Sequence, residues 1–543
     1  MIERADLREA GEIDSALRAM TMPATLGEFI RERANTLTDQ TAVDWFEDDR
    51  TLSYRQLDDA ANRLASSLVP LGVRKGTHVA VMLPNVPETL ITWTALALIG
   101  AVMVPINTRY TATELDFVLN DSDSQFVVID AEFLALLESV PNRPAMITDE
   151  NVIVRGDPKG NTRSLSALLA HGSLSFVAPV AVTASDLLNI QYTSGTTGFP
   201  KGCMLSHEYW IHLGFSLGLG RGEALGITNT LVWAPFFYMD GMWQLLATFY
   251  QGATAYVAKR MSMSSFMNWL RRYRIHVCTF PEPALKAFPA SPDDATLELK
   301  YIYSFGWRPE ARREAERRFG CLARDGYGMT ETGTGTLVPK QAGERAYART
   351  CGVPTAERKL RIVNENGEDV ANGERGELWV SGGGLMWGYY KRPVANAEIF
   401  RGEWMRTGDL FTRDEDGYYY LVGRLKDMVK RAGENIAARE VEAVLNELAY
   451  VAESAIVAVP DEQRGEEVKA YLILNEVRPA EVSMQDIFAH CSVHLAPFKV
   501  PRYVAFVDEL PRTPTRKVAK QRLLADTQDL LADTYDRVAG RWL

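Results

Sequence analysis

Short apolar runs alternate with helical patterns along most of this chain. HVAVML (78–83), QFVVID (125–130) and ATAYVA (253–258) are examples of the runs. Strands that alternate with helices require crossover connections, which build largely parallel sheets. From about Leu360 the texture changes. KLRIVNENGEDV, RGELWVSG and GYYYLVGR read as short strands separated by Asn-Gly and Asp-Gly turns, an antiparallel or barrel-like arrangement that ends at Gly423. Beyond the basic segment RLKDMVKRAGENI comes an amphipathic helix with Val441, Val444, Leu445 and Leu448 on one stripe, followed by the strands SAIVAV and KAYLIL. This is enough for a small α+β unit of about 115 residues. The chain has 543 residues, against roughly 100–200 per domain, so the expectation is a large α/β domain plus a smaller one.

Hydrophobic residues make up 46% and charged residues 24%, which excludes a largely disordered, collagenous or membrane-embedded chain. The 59 basic against 70 acidic residues give a formal charge of −11, so no general attraction to nucleic acid or anionic lipid is expected. Any anionic ligand must be held by a local site. Five scattered cysteines without a CxxC pair suggest neither a disulfide framework nor a zinc site, and they fit a reducing cytoplasm. The opening MIERADLREAGEID lacks the pattern of a secretory or transit segment. Leu90–Ile106 approaches membrane-span length, but Thr92, Trp93, Thr94, Gly100 and Pro105 make it a buried helix, a turn and a strand.

The most informative segment for chemistry is LLNIQYTSGTTGFPKG (187–202). An apolar strand runs into Thr193, Ser194, Gly195, Thr196, Thr197 and Gly198, with Lys201 near the end. Glycines let backbone N–H groups turn toward an anion, hydroxyls add donors, and lysine supplies a point charge, a combination suited to a nucleotide triphosphate. It is not a GxxxxGK(S/T) loop, because Pro200 takes the second glycine position and Gly202 follows the lysine.

With FPKG attached, the segment resembles the signature of the adenylate-forming superfamily of acyl-CoA synthetases, peptide-synthetase adenylation domains and luciferases. Further motifs follow in the family's order: DGYGMTETG (325–333), WMRTGDL (404–410), GRLKDMVKRAGENI (423–436) and PRTPTRKVAKQRL (511–523). The texture is most similar to stand-alone acyl-CoA ligases, which convert a carboxylate and ATP to acyl-AMP and then to acyl-CoA. The resemblance implies an AMP- and acid-binding domain over residues 1–424, a hinge at 425–427 and a mobile C-terminal domain over 428–543. It implies that Tyr327 stacks on adenine, Thr330 contacts phosphate and Glu331 binds Mg²⁺, a hard cation that needs oxygen ligands. Gly306, Asp325, Gly326, Gly328 and Met329 belong with the same nucleotide site. Asp409 is the expected acceptor for the ribose hydroxyls, with Arg424 as a second ribose contact. Lys426 and Asp427 match the hinge about which the small domain turns between the two half-reactions. Gly433 would line the pantetheine tunnel, with Lys430, Glu434 and Trp404 as further CoA contacts. Lys517 matches the lysine that stabilises carboxylate and α-phosphate during adenylation.

Two departures bear on these assignments. The family usually has glycine before the catalytic lysine, whereas Arg516 stands here. Its side chain removes access to positive φ and adds a bulky cation beside the nucleotide. A ligase confined to thioesterification of a supplied acyl-adenylate is therefore an alternative. In YSFGWRPEARR (303–313), Phe305 and Trp307 replace smaller residues, while EARREAERRF reads as a solvated helix face. The acid pocket is expected around WAPFFYMDGMWQ (233–244), formed by Trp233, Phe236, Phe237, Tyr238, Asp240, Gly241, Trp243 and also Trp307. Its aromatic walls suggest a hydrophobic, even bulky, acid.

None of the seven histidines falls in an HExxH pattern. His207 is expected to pack or cap, His490 and His494 lie one helical turn apart, a spacing that is a weak metal hint and more often a solvated helix face, and Cys203 reads as an inert buried thiol. The remaining alternatives are loading of a carrier protein, dependence on an upstream adenylating enzyme, and a silent adenylate-binding protein. A homodimer is left open.

Overall fold

Among the described residues, apolar runs bounded by polar turns form three seven-stranded sheets, two of them in the part of the chain before residue 325. The computed structural model describes residues 5–193, 200–431, 434–461, 463–475, 479–495, 497–513, 517–525 and 529–543. Internal contacts divide the chain into two units. The first comprises Met1–Thr193, Pro200–Leu360 and Val380–Trp404; among the described residues the second comprises Arg361–Trp379 and Met405–Leu543. This grouping assigns Met405–Arg424 to the C-terminal segment, whereas the sequence division runs at residue 424.

In the first unit, one sheet runs in the order Arg163–Ser164, Val152–Arg155, Phe126–Asp130, His78–Met82, Val102–Pro105, Leu187–Thr193, Lys201–Ser206. All neighbours are parallel except the last pair. The second sheet runs Leu322–Arg324, Tyr301–Tyr303, Val277–Thr279, Asn229–Val232, Thr254–Val257, Thr41–Trp45, Arg50–Ser53, again parallel except at its final hairpin. The parallel-rich α/β expectation is met. Helix Pro87–Ile99 is apolar on all sides and almost wholly buried, as a helix inside a large α/β core should be. It ends at Gly100, whose φ of +79° suits glycine and where a Cβ would meet Val182 at 3.0 Å. Leu90–Ile106 is thus a helix, a turn and the strand Val102–Pro105. Among the described residues no helix is long and apolar enough to cross a membrane.

The stretch 309–319 departs from its expected solvated face. Helix Pro309–Phe319 buries Arg312 and Arg318. Arg318 donates to Asp294 (2.8 Å), and Arg312 to Asp325 (2.6 Å). Glu316 accepts from Arg324 and from Tyr347. The helix is charged because its anionic partners come from segments distant in sequence, a relation that periodicity cannot reveal.

In the second unit, a sheet runs Glu434–Ala437, Met428–Arg431, Gly465–Leu474, Tyr503–Phe506, Tyr535–Asp536, Arg541–Trp542, and Val451–Asp461 also pairs with Gly465–Leu474. Helices Ala438–Leu445 and Met484–His494 share a core with this sheet through Val441, Leu445, Ile487 and Cys491. Val441, Val444 and Leu445 face inward as the periodicity predicts, and Leu448 packs on the same core just beyond the helix.

Helix His207–Arg221 buries two histidines in the first unit. His207 Nδ1 accepts from the Leu26 N–H at 3.2 Å, so it packs and caps as expected. His212 Nε2 lies 3.0 Å from Glu357 Oε2. Burial pushes His207 down to about 4, and burial, followed by the Arg358 charge, pushes His212 down to about 3. With folded-state values below the ordinary 6.5, the unfolded chain takes up these protons first. Stability should therefore fall as pH drops from about 6.5 toward 4, with each histidine contributing on the order of 1.4 kcal/mol per pH unit. Urea midpoints measured across that range check the slope, and His212→Gln should flatten it.

Candidate active site

Strands Leu187–Thr193 and Lys201–Ser206 pair with Thr193 opposite Lys201, which sets the lysine at the mouth of the glycine-rich segment. Ser194, Gly195, Thr196, Thr197 and Gly198 lie outside the described residues. Gly202 is required by close approach: a Cβ there would sit 2.5 Å from Ile190 Cγ2. On the other edge of Lys201–Ser206 runs the stretch 386–390. Tyr390 N donates to Gly202 O (2.8 Å), Met204 N to Gly388 O (2.9 Å) and Trp387 N to Met204 O (2.9 Å).

This pairing brings in Tyr389, which sequence reading missed. Lys201 Nζ lies 4.9 Å from the centre of its ring, and its hydroxyl donates to Glu331 Oε1 at 2.7 Å. Asn396 fixes the tyrosine backbone, accepting from Tyr389 N (2.7 Å) and donating to Tyr389 O (2.9 Å). The available signal was an aromatic pair in the glycine-rich run GGGLMWGYY, which has no chemical reading without the fold. Glu331 is buried, and its carbonyl accepts from Met386 N at 3.0 Å. Thr330 O is held by the buried Tyr209 hydroxyl at 2.9 Å. Cys203 is fully buried, and burial pushes its thiol well above the ordinary range, consistent with an inert cysteine.

The motif DGYGMTETG forms an antiparallel hairpin, Gly326–Met329 with Gly333–Leu337. Gly326 and Gly328 let its strands close, since a Cβ would lie 2.8 Å from Thr336 O and 2.6 Å from Gly333 O respectively. The Tyr327 ring is buried, and its hydroxyl lies 3.5 Å from Met329 Sδ. Asp325 organises the neighbouring turn. Its Oδ1 accepts from Gly306 N (3.0 Å) and Gly326 N (2.8 Å), while Oδ2 pairs with the buried Arg312. Arg312 also donates to Ala346 O (2.7 Å) and Trp307 O (2.8 Å). Gly306 has φ +70°. Trp307, expected at the acid pocket, is buried edge-on to Phe280 in the hydrophobic core against which Trp233 also packs. Phe305 is exposed and stacks on Tyr303 at 5.5 Å.

The segment 233–244 is pinned by polar groups that sequence reading also missed. Asn85 donates to Ala234 O and Ala258 O (both 3.1 Å) and accepts from Phe236 N (2.8 Å). Gln191 donates to Phe237 O at 2.7 Å. Gly241 cannot carry a Cβ, which would lie 2.7 Å from Ala234 O. Phe236, Phe237 and Trp243 are buried, while Trp233 donates to Thr279 O at 2.8 Å. Trp243 meets Tyr303 edge-on at 5.1 Å and donates to the exposed Asp240 at 3.4 Å. The Tyr238 hydroxyl accepts from Asn107 at 3.0 Å, and burial pushes it above its ordinary range.

In the second unit, Asp409 and Arg424 face each other across paired strands, with Nε 2.9 Å from Oδ1. Asp409 is buried and Arg424 exposed. Glu377 shapes the bend at Gly408, accepting from Gly408 N (3.1 Å) and Arg406 Nε (2.9 Å). The segment expected to be the hinge is a short helical turn, Leu425–Asp427, and Lys520 Nζ lies 3.8 Å from Asp427 Oδ2. Strands Met428–Arg431 and Glu434–Ala437 pair antiparallel, with Lys430 opposite Asn435. Gly433 lies outside the described residues, as do the side chains of Lys426, Lys430 and Glu434. The hairpin base is anchored by Arg431, which donates to the fully buried Glu467 at 2.6 Å. Lys517 is exposed; its N–H donates to Thr513 Oγ1 at 3.2 Å, and its carbonyl accepts from Thr513 N at 2.8 Å. Arg516 lies outside the described residues. Trp404, in the first unit, is half-buried.

The profile of the AMP-binding enzyme family matches residues 30–390. The chain belongs to this family. The AMP-binding enzyme C-terminal domain matches residues 440–517. A crotonobetaine/carnitine–CoA ligase of Proteus mirabilis is 31% identical over 490 residues, covering 87% of this chain and 93% of the relative. The long-chain-fatty-acid–CoA ligase FadD13 of Mycobacterium tuberculosis is 30% identical over 506 residues, covering 91% and 97%. Among solved structures, ATP-bound MatB from Rhodopseudomonas palustris superposes with a TM-score of 0.82 at 26% identity, covering 93% of this chain and 99% of that one. The o-succinylbenzoate CoA synthetase of Bacillus subtilis with ATP and magnesium gives 0.77 at 25% identity, covering 92% and 99%. The AMP-binding enzyme described here is thus an AMP-forming carboxylate–CoA ligase of the acyl-CoA synthetase class, whose members use ATP, Mg²⁺ and CoA. Glu331 fits the Mg²⁺ role: it is a buried oxygen donor in the motif that also carries Thr330, and Tyr389 holds its orientation.

Proposed function

We propose that this ligase activates a hydrophobic carboxylic acid, bulky ring acids included, and transfers the acyl group to CoA. The observation that carries the reading is the convergence of Lys201 and Glu331 on Tyr389, which gathers a phosphate-binding cation and a metal-binding carboxylate at the mouth of the glycine-rich strand. Lys201 and residues 193–198 hold the triphosphate. Thr330 would contact phosphate and Glu331 would hold Mg²⁺, whose charge would neutralise the phosphate oxygens. Tyr327 and the turn at Gly306 take the adenine, and Asp409 with Arg424 the ribose. An acid carboxylate oxygen attacks the α-phosphorus, and pyrophosphate leaves. The CoA thiolate then attacks the acyl carbon and AMP leaves. Lys517 serves the first step; Lys430, Gly433, Glu434 and Trp404 serve the second, after rotation about Lys426 and Asp427.

The aromatic set Trp233, Phe236, Phe237, Tyr238, Trp243 and Trp307 supports a hydrophobic acid, with Asp240 and Gly241 at the same helix start. Screening a panel of straight-chain and ring acids, with AMP, pyrophosphate and acyl-CoA read separately, tests it. Equal turnover of small polar acids would overturn the hydrophobic reading. The same assay with a holo-carrier protein in place of CoA identifies the acceptor, and light scattering gives the oligomeric state. Five free, buried cysteines support a cytoplasmic location.

Arg516 favours a second reading, in which only thioesterification of a supplied acyl-adenylate survives. On that reading Arg516→Gly raises pyrophosphate exchange. Robust exchange by the native enzyme with its cognate acid rejects it.

A further inference from the structure

The C-terminal unit carries a cluster that the ligase chemistry does not use. His490 and His494 are separated by one turn of helix Met484–His494, with ring centres 4.7 Å apart. Glu447 reaches the same ring from just beyond helix Ala438–Leu445: its Oε2 lies 3.7 Å from His490 Nε2, the ring nitrogen other than the Nδ1 that would face a bound ion. One ligand atom from each of the three lies within 4.8 Å of the others. We propose that Glu447, His490 and His494 form a binding site for a divalent late transition ion of the zinc class, joining the two helices.

Three observations support the site. The first is the donor set, two imidazoles and a carboxylate, which suits zinc with water as the fourth ligand and is a poor match for Mg²⁺, which prefers oxygen. The second is the hydrogen bond from His490 Nε2 to Val444 O at 3.0 Å. That bond leaves the lone pair on Nδ1, and donation from the distal ring nitrogen to a carbonyl is how metal-binding histidines are commonly oriented. The third is the backing. Val444 O also accepts from Glu447 N at 3.2 Å, and Val444, Leu445, Ile487 and Cys491 pack together beneath the cluster. Tetrahedral coordination at zinc distances needs ligand atoms about 3.3 Å apart. The exposed side chains of Glu447 and His494 can close that gap by rotation about their own bonds.

The test is calorimetric titration of the tag-free full-length protein with ZnCl2 in buffer containing excess MgCl2. One zinc ion should bind saturably in the micromolar range and raise the thermal midpoint. His494→Ala, at an exposed position, should weaken binding by at least about tenfold, and Glu447→Gln by less. Co²⁺ should give a visible absorption band in the native protein that is lost in His494→Ala. Absence of saturable zinc binding, or equal affinity in His494→Ala, would overturn the proposal. None of these readouts depends on ligase activity.

Discussion

Replacing Lys517 with alanine should lower acid-dependent pyrophosphate exchange roughly 10²–10³-fold, the effect of losing one preorganised charge or donor at a transition state. CoA transfer from synthetic acyl-AMP should stay near the native rate. The asymmetry follows from the two steps. In the first, an anionic carboxylate approaches an anionic phosphate, and a nearby ammonium stabilises the charge that builds between them. In the second, a thiolate attacks a carbonyl already joined to a good leaving group. Lys517 has its backbone tied at both N–H and C=O to Thr513 while its side chain is exposed, so its removal takes away charge without disturbing a core. Both half-reactions should be measured on the same preparation. An equal loss in both would mean that Lys517 acts through the fold of its domain and would remove it from the adenylation step.

The second large effect concerns Asp325. Asp325→Ala should destabilise the protein by about 3–5 kcal/mol, because it leaves the Arg312 guanidinium, 1% exposed, without its anion. Two backbone donors, Gly306 N and Gly326 N, lose their acceptor in the same change. Urea denaturation should place this loss in the unfolding of the first unit, and the KM for ATP should rise as the turn at Gly306 loosens. Replacing both charges, as in Asp325→Leu with Arg312→Met, should cost less than the single change, since no unpaired charge then stays buried. A single-variant cost below about 1 kcal/mol, the range of an exposed pair, would show that the pair does not hold this turn.

Asp325 also illustrates which parts of the molecule could be read from sequence. The motif assigned Asp325 to the expected nucleotide site, but its carboxylate orders the loop by accepting from Gly306 N and Gly326 N and pairing with Arg312. The parallel sheets were legible because strand and helix periods are local. So was the inward face of Val441, Val444 and Leu445. The charged helix at 309–319 was misread because its faces are defined by Asp294 and Asp325, which no local pattern connects to it. Asn85, Gln191 and Glu377 were invisible for a related reason: each serves backbone groups that become neighbours only after folding. Trp307 was assigned by position in a motif, and its edge-on packing against Phe280 was not legible because the two rings meet only after folding. His490 and His494 show their helical spacing in sequence, but Glu447, the third member of the proposed site, comes from the turn after helix Ala438–Leu445, which no local pattern connects to them.

Tyr389 has a consequence for the resting enzyme. A lysine and a glutamate set close together in a binding site tend to neutralise one another, and an incoming phosphate or metal would first have to separate them. Here the ammonium of Lys201 rests on an aromatic face while the carboxylate of Glu331 is engaged by the same residue's hydroxyl, and among the described residues no ion pair joins the two. One side chain thereby acts as an insulator. It keeps both charges apart and ready for a ligand of the opposite sign, so that nucleotide and metal can enter without first dismantling an internal salt bridge.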